Sequence, residues 1–227
     1  MSRSRMFIAI GALFSAVAAG PAAAADMPGN FYLRGSLSSE PSQWAGYYVG
    51  VSVGYSKLNS DFSSSIPSFS LSSGANETGA SFGGFIGYNT QEWDPSLVLG
   101  LELDYNWLSL ETISTNSLGG VTGTASYKLI DYATFRGRAG YTIGQFLPYA
   151  FVGAAVGQVD YSATTTSGFN QSRDNAFPVG FATGVGLDVL LLPNVFLRGE
   201  WEYIAFSPVG GINTTVNTGR VGLGLRF

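Results

Sequence analysis

The chain has 227 residues, of which 11% are charged and 45% hydrophobic, with 31 Gly and a mean hydropathy of +0.19. Average soluble domains carry roughly 25% charged residues, so much of this surface either faces something other than water or is buried in an assembly. Cys and His are both absent, which excludes disulfide frameworks, thiolate metal sites and a lipoprotein attachment point, and removes the commonest general base and metal ligand.

The first 25 residues read as a secretory leader. Arg3 and Arg5 give a positive start, Met6–Ala19 an apolar run, and Ala23-Ala24-Ala25 a cleavage signal before Asp26. The 14-residue run falls short of the roughly 20 residues that span a bilayer as a helix. Removing Arg3 and Arg5 leaves 9 Lys+Arg against 15 Asp+Glu, a net charge of −6, so there is no footprint for nucleic acid. An apolar chain that leaves the cytoplasm is either a secreted soluble β-protein or a membrane β-barrel.

Residues 26–43 are polar, aperiodic and marked by Pro, Gly and Ser, and are expected to be a flexible periplasmic lead-in. From Trp44 the period becomes that of strands. Eight are expected, at 44–57, 79–90, 96–107, 126–141, 146–160, 176–190, 194–206 and 217–227. Each reaches the roughly 9–11 residues that a tilted spanning strand needs. Long loops are expected at 58–78, 108–125, 161–175 and 207–216, alternating with short turns at 91–95, 142–145 and 191–193. That alternation is the pattern of bacterial membrane barrels, with short periplasmic turns and longer outer loops.

Strand alternation sorts the side chains into two faces. Leu97, Leu99, Leu101, Leu103, Tyr105 and Trp107 fall opposite Val98, Gly100, Glu102, Asp104 and Asn106. The last strand sets Val221, Leu223, Leu225 and Phe227 against Arg220, Gly222, Gly224 and Arg226. A lipocalin-like barrel would turn the apolar face inward, and a membrane barrel would turn it to lipid. Three features favour the membrane. The polar face is rich in Gly and Ala, as a cramped lumen requires. Seven of the nine mature Lys and Arg lie inside expected strands. Aromatic residues mark strand ends (Trp44, Tyr88, Trp107, Tyr127, Tyr149 and Tyr161), as interfacial girdles would.

The expected lumen holds Glu102, Asp104, Asp188, Glu200 and Glu202 against Arg136, Arg138, Arg198, Arg220 and Arg226. If the last hairpin pairs in phase, Glu202 lies opposite Arg220. An eight-stranded interior is just wide enough for side chains to fill, so a plugging salt-bridge network is favoured over a selectivity filter. Glu200 with Glu202 as an acid–base pair, and Glu102 with Asp104 as a metal site, are the weaker readings beside neighbouring Arg. The run GFATGVG (180–186) lies within a strand, with no helix to follow, and is read as barrel glycine.

The stretches FRGRAGYTIGQFLPYAFVGAAVG (135–157), GFATGVGLDVLLLPNVFLRGEWEYIAF (180–206), WAGYYVGVSVGY (44–55) and the closing RVGLGLRF resemble the OmpA-like/RopB-type "porin family" surface proteins of α-proteobacteria. The resemblance implies an all-β fold, an eight-stranded antiparallel up-and-down transmembrane barrel at 44–227, located in the cell outer membrane. It implies a surface protein that supports envelope integrity and contact, not an enzyme, with no catalytic motif, cofactor or metal to carry over. A narrow low-conductance channel, or a haemin-type receptor using loops 58–78, 108–125 and 161–175 with Tyr161, are the alternatives. Implied partners are outer-membrane lipid and lipopolysaccharide, peptidoglycan or host surfaces, and the barrel-assembly machinery with periplasmic chaperones during biogenesis. Val221, Leu223, Leu225 and the terminal Phe227 resemble the signal that this machinery reads.

Overall fold

A strand whose side chains alternate in character needs a different medium on each face, and lipid tolerates no unpaired backbone edge. Closing the sheet meets both demands. The computed structural model describes residues 43–62, 73–118, 120–168 and 170–227. The leader expected at 1–25, and the lead-in at 26–43 apart from Gln43, lie outside the described residues.

Nine segments follow one another: β1 (Gly46–Asp61), β2 (Ser73–Thr90), β3 (Leu97–Leu118), β4 (Val121–Tyr141), β5 (Phe146–Thr165), β6 (Asn170–Ala176), β7 (Val179–Leu192), β8 (Val195–Val209) and β9 (Ile212–Arg226). All pairings are antiparallel, β6 and β7 share one place in the wall, and β1 pairs with β9. The result is a closed eight-stranded up-and-down barrel. Its sixth stave is interrupted at Phe177–Pro178, where Pro has no N–H for a ladder. Asn175 just before it takes φ 57° and donates its N–H to Asp160 Oδ1 at 2.8 Å.

The eight expected strands are all present in the expected order, but their outer ends run much further. Three of the expected long loops are largely strand. Residues 108–118 and 121–125 belong to β3 and β4, 161–175 mostly to β5 and β6, and 207–216 mostly to β8 and β9. Of loop 58–78, residues 58–61 and 73–78 are strand, and 63–72 lie outside the described residues. A receptor rim of irregular loops at 108–125 and 161–175 is therefore replaced by hairpins. The sequence reading required apolar alternation to recognise a strand, whereas these extensions are held by hydroxyl pairs. Thr115 faces Thr124 at 3.2 Å and Ser117 faces Thr122 at 2.9 Å, oxygen to oxygen. β-Branched Thr fits a pleated surface in water as well as in lipid. Gly210 and Gly211, at φ 59° and 78°, close the last hairpin as a two-residue turn that only residues tolerant of positive φ accept.

Among the described residues, the β2–β3 ladder reaches only to Phe82↔Trp107 and the β7–β8 ladder only to Gly180↔Phe206. Beyond those rungs the wall divides into two four-stranded sheets, β2-β1-β9-β8 and β3-β4-β5-β6. Both supply one buried cluster, including Leu58, Ile212 and Val216 from the first, and Leu110, Leu129 and Val159 from the second. Thr112 bridges them by donating to Ser60 Oγ at 2.9 Å. The outer part of the molecule is thus a packed β-head rather than a set of loops.

Around the middle of the barrel the outward face is apolar. Val51, Leu101, Phe135, Val152, Val185 and Leu223 are all exposed, a continuous belt that water would not tolerate on a monomer. Tyr47 packs on Tyr88 at 4.9 Å at the inner border of the belt, and Phe82 stacks on Trp107 at 5.7 Å at the outer border. Of the six residues expected in the girdles, only Tyr88 and Trp107 face out. Trp44, before β1, and Tyr127, Tyr149 and Tyr161 are buried; for the three tyrosines parity along the strand, not nearness to its end, decides the face.

The belt yields a test. Leu101 and Ile113 are equally exposed, at 57% and 58%, yet Leu101 faces lipid and Ile113 belongs to the head. Leu101→Arg should cost about 2–4 kcal/mol of folding free energy in lipid vesicles. Ile113→Arg should stay within about 0.5 kcal/mol, as read from denaturant titrations of each variant.

Candidate functional site

The inward parity of five segments places acid and base at one height. β3 supplies Glu102 and Asp104, β4 Arg136 and Arg138, β7 Asp188, β8 Arg198, Glu200 and Glu202, and β9 Arg220. Three pairs are direct neighbours across a ladder: Glu102↔Arg136, Asp188↔Arg198 and Glu200↔Arg220. Other bonds cross the lumen. Arg198 Nη1 donates to Glu102 Oε2 at 2.7 Å, Arg138 Nη2 to Asp188 Oδ2 at 2.7 Å, and Arg220 Nη1 to Asp104 Oδ1 at 2.9 Å. Arg136 is the hub. It donates to Glu102, to both oxygens of Glu200 at 2.8 and 3.0 Å, and to Glu202 Oε1 at 3.1 Å.

Aromatic side chains complete the layer. The Tyr48 hydroxyl donates to Glu102 Oε2 at 2.6 Å, Tyr149 to Glu200 Oε2 at 2.7 Å and Tyr132 to Glu202 Oε2 at 3.1 Å. The guanidinium carbons of Arg138, Arg136 and Arg198 lie 3.8, 4.1 and 4.1 Å from the ring centres of Tyr149, Phe151 and Phe85. Each of these three cations thus has carboxylates as hydrogen-bond partners and an aromatic ring beside it. Glycines on neighbouring strands make room for the rings. A Cβ on Gly186 would lie 2.3 Å from the Tyr149 ring, and one on Gly87 2.3 Å from the Tyr48 hydroxyl.

The layer is closed to water. Its nine charged side chains range from 0% to 6% exposed. It is also capped on both sides. On the side of the short turns, Trp44, Tyr48, Phe85, Val98, Leu147 and Phe196 pack together, and on the opposite side lies the buried cluster of the head.

Nine of the ten residues expected in the ion network are in it. Arg226 is not among them. It lies near the end of β9 and donates to the carbonyls of Ala45 and Pro193, each at 3.0 Å, tying the last strand to the start of the first and to the β7–β8 turn. The in-phase pairing of Glu202 with Arg220 is also displaced by one inward step. Arg220 lies opposite Glu200 and Glu202 opposite Thr218: the turn sets Val209 against Ile212, and one register shift between Val209 and Phe206 moves the pairing one residue further. Arg220 still reaches Glu202 diagonally at 3.5 Å. Sequence reasoning missed Tyr48, Tyr132 and Tyr149, although Tyr132 shares the inward parity of Arg136 and Arg138 on β4, and Tyr48 and Tyr149 share that of the Gly, Ser and Ala positions on β1 and β5. Val221, Leu223, Leu225 and Phe227 all face outward and are exposed.

The sequence model of the outer membrane protein β-barrel domain matches residues 10–227. A 22 kDa outer membrane protein of Rhizobium leguminosarum bv. viciae is 30% identical over 162 residues, which are 70% of this chain and 63% of that protein. A 31 kDa outer-membrane immunogenic protein of Brucella melitensis is 28% identical over 177 residues, 70% of each chain. Among solved structures, Neisserial surface protein A is similar with a TM-score of 0.46 and 15% identity, over 81% of this chain and 98% of that one.

Removing one member of a buried ion network strands its partners. Arg136→Met should destabilise the folded barrel by about 3–5 kcal/mol, whereas Arg173→Met, on exposed β6, should change stability by less than about 0.5 kcal/mol. Equilibrium unfolding in vesicles checks both.

Proposed function

The chain belongs to the outer membrane protein β-barrel family, and on that premise we propose that it is a closed barrel of the outer membrane that supports envelope integrity and surface contact. The observation that carries this reading is the near-zero exposure of the charged lumen, with an apolar layer on either side. Solute passing through would have to break bonds to Arg136, Arg198 and Arg220 and cross both apolar layers. A narrow channel would require those layers to open together.

The head fits surface contact. It is a strand-paired structure that carries Ser, Thr and scattered charges on its outer faces, and it stands beyond the outer aromatic border. Its lipid contacts follow from the belt, and the exposed Val221, Leu223, Leu225 and Phe227 present the alternation that we assign to recognition by the barrel-assembly machinery.

A strain lacking the protein should become more permeable to detergent and to bulky antibiotics. The wild-type chain should restore the barrier, and the destabilised Arg136→Met variant should restore it poorly. An intact barrier in the deletion strain, together with slower uptake of small solutes, would favour the channel instead.

A further inference from the structure

One carboxylate interrupts the outer edge of the apolar belt. Asp131 has the outward parity of Ala133 and Phe135 on β4, and it stands at the outer aromatic border, directly opposite Trp107 of β3. A carboxylate at the edge of hydrocarbon loses part of its hydration and needs a partner. Among the described residues no Arg or Lys forms a salt bridge with it. Lys128, the nearest cation along β4, stands between Glu111 and Asp160 on the two neighbouring strands.

The wall beside Asp131 presents aromatic rings. Trp107 stacks on Phe82 and meets Tyr105 edge to face, with ring centres 4.5 Å apart and planes at 74°. Tyr105 and Trp107 are thus two walls of a corner. The Tyr105 hydroxyl interacts with the Asp131 carboxylate on one side and with the Trp107 indole on the other, which holds acid and rings as a unit. Directly opposed residues of a sheet have Cβ atoms about 5 Å apart, so the carboxylate reaches whatever is seated against Trp107. The backbone is irregular at this place. Register shifts fall between Trp107 and Leu110 in the β3–β4 ladder and between Leu129 and Asp131 in the β4–β5 ladder, and such irregularities re-aim side chains. An aromatic girdle alone needs neither the carboxylate nor the shifts.

Rings beside a carboxylate suit an organic ammonium group, which the ring faces attract and the acid pairs with. A divalent metal needs several oxygen ligands, and among the described residues no group of three metal-ligating side chains occurs. Depth selects the source of the ammonium, because the corner lies where the belt ends and lipid headgroups begin. We propose that Tyr105, Trp107 and Asp131 form a site for a membrane lipid whose headgroup carries an ammonium group, with its chains lying along the outward pair Leu103 and Phe135. The site is on the outside of the wall and does not depend on whether the lumen is closed.

Trp107 itself is the reporter for the test. In the full chain carrying Trp93→Phe and Trp201→Phe, it is the tryptophan that brominated lipid chains can reach and quench, since Trp44 is buried. The folded protein is reconstituted with EDTA in phosphatidylglycerol vesicles that contain a minor share of dibrominated phosphatidylethanolamine. Phosphatidylethanolamine should associate at Trp107 about 2–5-fold more strongly than phosphatidylglycerol, as an exposed cation–π contact allows. Asp131→Asn should bring that ratio to one, and Tyr105→Leu serves as the second variant should Asp131→Asn fail to fold. A companion chain, with Trp93→Phe and Trp107→Phe, reports from Trp201 on β8 and should show no preference. A ratio near one at Trp107, an equal preference at Trp201, or a preference that survives both Asp131→Asn and Tyr105→Leu overturns the site. A preference for phosphatidylglycerol that appears when magnesium replaces EDTA also overturns it, in favour of a metal bridge to phosphate.

Discussion

Eight strands enclose a lumen with room for side chains and almost nothing else, and every other feature of the molecule is adjusted to that constraint. A charge that points inward cannot be hydrated, so another side chain has to neutralise it. This is why the acids and arginines gather at one height rather than scatter along the wall. It is also why arginine alone supplies the cations of the layer. A planar fork can bind two carboxylates at once and still lie flat against an aromatic ring, as Arg136 does between Glu102, Glu200 and Phe151. The glycines belong to the same arrangement, since the rings of Tyr149 and Tyr48 occupy the space where side chains of Gly186 and Gly87 would be.

Such a network contributes less to net stability than its bond count suggests, because burying each ion carries a desolvation cost. Its stronger effect is on specificity. Glu102↔Arg136, Asp188↔Arg198 and Glu200↔Arg220 meet only in one strand register, and a slip of one residue would turn all of them into lipid. The ion pairs therefore fix how the wall closes, while the apolar layers above and below them keep water out.

Much of this was legible in the sequence. The order and number of the strands followed from the period of two, and the outward belt from its apolar half. Nine of the ten charges expected inside lie in the layer, because Arg and carboxylate alternate with lipid-facing Leu and Val. What was not legible has definite physical causes. The hairpins at 108–125 and 161–175 looked like loops because hydroxyl pairs and a distant buried core hold them, rather than local apolar alternation. Tyr127, Tyr149 and Tyr161 looked like girdle residues because an aromatic side chain suits both an interface and a packed lumen, and only its parity separates the two. The register of Glu202 with Arg220 depended on where the last hairpin turns and on an irregularity between Phe206 and Val209, neither of which composition announces.

The central claim is that side chains, not water, fill the lumen. Single-molecule conductance of the purified, folded protein in a planar bilayer tests it most directly. The structure predicts a silent barrel, with no steady current across the range of voltages the bilayer withstands. A steady ohmic current in the nanosiemens range from correctly folded wild-type protein would contradict it, and the ionic layer would then have to be read as the lining of a pore.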